Sequence, residues 1–70
     1  MNLEEYKYLW EDQKEDWVLV KSETLYFIIN KRTQMALLIS DDSLNQAVIR
    51  KMLESGNKIY DDIEDAYNDV

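Results

Sequence analysis

The sequence predicts a single small α+β domain, 1–70, in the order α-β-β-β-α-α, with a three-stranded antiparallel meander packed against helices. Three observations predict it. Three short apolar runs are separated by connections of four or five residues, the lengths that hairpins use. The segments on either side repeat apolar residues at helical spacing behind residues that cap helices well. Finally, 70 residues without Cys or Pro leave room for one domain only, and a chain of that size buries only roughly 60% of its unfolded surface, so the core is small.

The first element rests on Asn2 as a cap, with Glu5 in the reciprocal capping-box position. Leu3, Tyr6, Leu9 and Trp10 fall within one arc at 100° per residue, which predicts an α-helix. Tyr8 lies off that arc and is expected at the surface. The pattern fades through Glu11, Asp12, Gln13, Lys14, Glu15 and Asp16, a polar last turn plus a connection.

The apolar runs Trp17-Val18-Leu19-Val20 and Leu25-Tyr26-Phe27-Ile28-Ile29 are rich in β-branched and aromatic residues and read as strands. Neither connecting turn contains Gly, which favours longer loops built on type I turns over tight two-residue ones. Met35-Ala36-Leu37-Leu38-Ile39 has helical propensity, but its five residues before a fresh helix start read as a third strand.

That start is Ser40-Asp41-Asp42-Ser43, all good caps, and the helix runs to about Ser55, burying Leu44, Val48 and Met52. Gly56 stops it in the left-handed cap position, with Ile59 as the accompanying apolar contact. Lys58-Ile59-Tyr60 is a short extended piece with the makings of a fourth strand. Asp61 then caps a last helix, with Glu64 in the capping-box place and Ile63, Ala66, Tyr67 and Val70 on one stripe.

Both faces of the expected sheet are apolar, since Trp17 and Leu19 oppose Val18 and Val20, and later runs behave alike. Either helices cover both faces or one face docks on something else, and a homodimer or assembly module using that face is the alternative reading of function.

Charge narrows the function. Fifteen acids against eight bases give a net charge of −7, and an acidic surface repels nucleic acid and anionic lipid while favouring basic partners. The excess sits at the ends: residues 1–20 carry −4 and residues 61–70 carry −5, around a middle that is net positive. Glu11, Asp12, Glu15 and Asp16 stand where the helix dipole disfavours acids, and Asp62, Asp65 and Asp69 line one stripe of the last helix. Asp69, at the helix end that repels acids, gains nothing from the dipole.

No His and no Cys exclude zinc and haem sites of the usual kind and the common nucleophile pairs. The carboxylates lack the spacing of a calcium loop. The paired bases Lys31-Arg32 and Arg50-Lys51 fall short of a nucleic-acid-binding stripe. Neither cofactor, metal nor enzymatic activity is expected. With no signal-like start and no apolar run near the roughly 20 residues that span a bilayer, a cytoplasmic protein is expected.

The reading that joins these points is a small non-enzymatic protein that binds and inhibits or neutralises a basic, nucleic-acid-binding protein. Phage-encoded antagonists such as anti-CRISPR proteins and toxin immunity proteins work in this way, an analogy of charge and element order without a shared motif. The residues expected to make the contact are Tyr8, Glu11, Asp12, Glu15, Asp16, Asp62, Asp65 and Asp69. Whether the two acidic ends share a face is a question for the structure.

Overall fold

In the computed structural model, which describes residues 2–38 and 42–69, the three apolar runs form strands β1 (Trp17–Ser22), β2 (Leu25–Asn30) and β3 (Met35–Leu38). β1 and β2 pair antiparallel from Trp17 opposite Asn30 to Ser22 opposite Leu25. That register leaves only Glu23 and Thr24 to turn the chain, so the connection is a tight two-residue one after all. Glu23 takes the left-handed conformation (φ 55°) that the turn demands and that Gly normally supplies. Six paired residues on each strand hold it there against a local cost of about 1 kcal/mol.

The second connection is longer, 31–34, and Asn30 builds it. The buried Asn30 side chain accepts from the Arg32 and Thr33 amides at 2.9 and 3.0 Å, and Gln34 closes the loop in the left-handed region (φ 59°). β2 and β3 pair antiparallel with a register shift between Ile28 and Ile29.

A fourth strand, β4 (Ile59–Tyr60), runs parallel to β1, with Leu19 opposite Ile59 and Val20 opposite Tyr60. The expected three-stranded antiparallel meander is thus corrected to a four-stranded mixed sheet in the order β3-β2-β1-β4. The physical reason is the outer edge of β1. It would otherwise leave buried amides unpaired, and the Leu19 amide instead donates to the Lys58 carbonyl at 2.9 Å.

The first element is a 3-10 helix, Leu3–Leu9, rather than an α-helix, and Asn2 makes no side-chain cap bond. At three residues per turn Leu3, Tyr6 and Leu9 form one row, so the interval of three was the better guide to the period. Tyr6 and Leu9 are buried and Leu3 packs beside them. Turns then carry the chain through 10–16.

Helix α1 (Ser43–Glu54) begins at Asp42, whose side chain accepts from the Asn45 amide at 2.9 Å. The expected roles of Ile39, Ser40, Asp41 and Val70 fall on residues outside the described ones. α1 buries Val48 and Met52 against the face of the sheet that carries Trp17, Leu19 and Ile28, with Leu44 and Ile49 half-buried. The helix ends in a Schellman motif: the Gly56 amide (φ 83°) donates to Leu53 O and the Asn57 amide to Met52 O. Asn57 stands where an apolar residue is usual and does something else. Its buried side-chain Nδ2 donates to Leu9 O at 3.0 Å and to Trp17 O at 2.9 Å, tying the end of α1 to the 3-10 helix and to the start of β1.

Helix α2 (Ile63–Asn68) is short, and its cap is Asp62 rather than Asp61, accepting from the Glu64 amide at 2.9 Å. It lies on the second face of the sheet, where Val18, Val20 and Ile29 pack with Ala66, Phe27, Tyr60 and Tyr67. Helices therefore cover both sheet faces, as apolar faces require.

Candidate functional site: where the acidic ends meet

Two basic side chains, Arg32 and Lys58, each pair with a carboxylate of one acidic segment. Asp16 ends the N-terminal acidic segment, and its carbonyl accepts from the Lys31 amide at 3.0 Å while its carboxylate meets Arg32 at 3.4 Å. The turn between β2 and β3 is therefore held against the start of β1. Lys14 and Glu15, the two residues before it, line a shallow depression of about 150 Å³ together with Val18, Gly56, Asn57 and Lys58. Lys58 in turn reaches Asp69 at 3.3 Å. Glu15 and Asp69, from the two acidic ends, thus flank the same lysine.

Asp69 is the most engaged of the carboxylates. The Tyr60 hydroxyl donates to its Oδ2, the atom Lys58 also binds. The Tyr60 hydrogen bond, then the Lys58 hydrogen bond and charge, and more distantly Lys31, hold the Asp69 carboxyl below its ordinary range. Burial, with the hydrogen bond and charge of Asp69, pushes the Tyr60 hydroxyl up to about 12. A misplaced acid at a helix C-terminus is thereby explained. The groups that oppose it come from β4 and the residue before it.

The other expected contact residues divide by what they touch. Glu11 pairs with Lys7 at 3.7 Å along its own segment. Asp62 caps α2 at the end of the helix away from Asp69 and is not part of the gathering. Asp12, Glu15 and Asp65 are exposed and make no ion pair among the described residues. Tyr8 is corrected: it is half-buried, packs against the core and sets its ring edge-on to Trp17, with centroids 6.2 Å apart at 71°. Burial, then the neighbouring Tyr6, raises its hydroxyl pKa. The chain doubles back after the 3-10 helix and lays Trp17 beside it, a tertiary contact that a helical wheel does not contain.

Sequence reasoning passed over Lys58, Lys31, Arg32 and Tyr60 as parts of this flank. The signal was present in Asp69, whose unfavourable position implied an opposing group. Among the described residues no group of three or more carboxylates is placed to hold a metal ion, and no helix is long and apolar enough to cross a membrane.

What the fold and this flank define is a small acidic α+β protein whose two ends converge beside one strand. Comparisons with protein-family models, with curated proteins and with solved structures return no match.

Proposed function

We propose that this chain is a non-enzymatic binding protein that inhibits or neutralises a basic, nucleic-acid-binding protein, docking it through the acidic flank beside β4. The observation that supports the reading is that Glu15 lines one depression with Lys58, the lysine that pairs with Asp69, so a carboxylate from each acidic segment neighbours the same residue. Asp12, Glu15 and Asp65 are exposed and join no ion pair among the described residues, so they add unbalanced negative charge, while Asp16 and Asp69 are already paired with cations of the chain itself. Such a surface steers a basic partner at long range and binds in a salt-sensitive way. The residues that carry the interaction are thus Asp12, Glu15 and Asp65, with Glu11, Asp16 and Asp69 as exchangeable pairs.

The homodimer through an apolar sheet face has less to draw on. Val18, Val20 and Ile29 are 1%, 2% and 0% exposed within a single chain, so that face offers little area to a second copy.

The test is the triple reversal Asp12→Lys, Glu15→Lys, Asp65→Lys, which avoids the cap and the Asp69 contacts. The wild type should capture a basic protein from the native host at about 50 mM salt, release it by about 300 mM, and block its nucleic-acid binding in a mobility-shift assay. The reversed variant, with an unchanged circular dichroism spectrum, should do neither. Equal inhibition by both proteins, or a captured partner whose nucleic-acid binding is untouched, would sink the reading.

A further inference from the structure

On the opposite face of the sheet, at the hairpin end of β1 and β2, a groove of about 250 Å³ opens between β2 and α1. Its floor is Tyr26 and Ile49, both half-buried and packed on the core, its rim on α1 is Leu53, 39% exposed, and Thr24 and Leu25 close it at the strand end. A single exposed leucine is ordinary, but Leu53 next to half-buried Tyr26 and Ile49 extends one apolar strip along the groove. The one charged side chain lining the groove is Arg50. It joins none of the ion pairs formed among the described residues, which are Lys7 with Glu11, Arg32 with Asp16 and Lys58 with Asp69. Lys21 stands opposite Tyr26 in the β1–β2 ladder and so adds a second cation to the same face.

Size and charge together define the occupant. The volume is below the several hundred Å³ of sites for cofactors or drug-sized molecules, and suits one or two side chains of a peptide. In a chain of net charge −7, an apolar groove edged by a guanidinium that joins no ion pair among the described residues is complementary to a segment carrying a carboxylate next to an aliphatic residue. We propose that this groove docks an acidic, leucine-rich peptide segment of a partner protein, its aliphatic side chain against Tyr26, Ile49 and Leu53 and its carboxylate on Arg50. The site differs from the acidic flank in face, in end of the sheet and in sign of charge, so it stands or falls independently of the function proposed above.

The probe is an acetylated and amidated Leu-Glu-Leu-Leu-Glu-Leu peptide titrated into the full chain labelled with nitrogen-15, beside a counterpart with Gln for both Glu. Saturable amide shifts should concentrate at Thr24, Tyr26, Ile49, Arg50 and Leu53, and the Gln peptide should bind about fivefold more weakly, the upper range for an exposed ion pair. Arg50→Glu should abolish the preference for the acidic peptide, Arg50→Lys should reduce it, and Leu53→Ser should weaken both peptides. Scattered or absent shifts overturn the proposal, as does equal binding of the two peptides by the wild type. A dimer in light scattering that Arg50→Glu dissolves overturns it in favour of a second copy as occupant.

Discussion

At the scale of single residues, Asn57 does the most for the least sequence signal. Its amide supplies the donor for two carbonyls 40 and 48 positions away, and removing it leaves two buried acceptors unpaired. Asn57→Ala should therefore cost about 2 to 4 kcal/mol, read by chemical denaturation. Asn57→Asp should be worse at neutral pH, because it sets a carboxylate against two carbonyl oxygens, and its deficit relative to wild type should shrink as acid protonates it. A deficit independent of pH would argue that the loss comes from shape alone. Gly56 beside it is a residue the sequence did announce. A left-handed helix stop wants Gly, and Gly56→Ala should cost about 1 kcal/mol. Asn57 was not legible because its partners are backbone atoms of distant segments, whereas Gly56 was legible because its reason is local. Glu23 is the reverse case, a left-handed turn position with no Gly to mark it. Long-range pairing of β1 with β2 overrides the local preference there.

At the scale of elements, α2 is the part most easily undone. Six residues are too few for a helix to persist unaided, and three points hold it: the Asp62 cap, buried Ala66, and Asp69 on Tyr60 and Lys58. Asp69→Asn should speed amide exchange in α2 selectively and leave α1 unchanged; uniform acceleration would instead mean a global loss of stability. The same contact sets two pH limits. The Tyr60 hydroxyl keeps its proton to about pH 12 against an ordinary 10.0, so its contribution is complete below pH 10 and disappears as the pH climbs through 12. Asp69 is shifted downward, so its contribution is present above the ordinary carboxylate range and is lost as the pH falls through its depressed value. Ultraviolet titration of phenolate should show one tyrosine near 12 that moves toward 10 in Asp69→Asn, without reaching it because burial is the larger cause. The places of the helices and of the first three strands were legible from spacing, and that of α1 also from its cap. The period of the first helix and the parallel pairing of β4 were not, since both are decided by packing against segments the local pattern does not contain.

At the scale of the molecule, the charge is unevenly satisfied. Among the described residues three ion pairs neutralise some acids, and the chain's net −7 remains to repel itself in the folded state. Screening should therefore stabilise the domain: raising NaCl from about 20 to about 300 mM should raise Tm, followed by circular dichroism. A fall in Tm would mean that the bridges around Lys58 and Arg32 outweigh the repulsion. The candidate flank was half legible in the same sense. Its acids were countable along the chain, but their meeting at Lys58 depends on β4 lying beside β1. That pairing also bears on how the protein is made. β1 belongs to the first third of the chain, yet its outer edge finds a partner only when Ile59 and Tyr60 have been added. Throughout synthesis up to that point the nascent hairpin presents an open row of backbone donors and acceptors on one of its most apolar strands, the condition in which chains pair with the wrong neighbour. By pairing Leu19 and Val20, β4 therefore closes part of an edge that would otherwise be open to association with another chain.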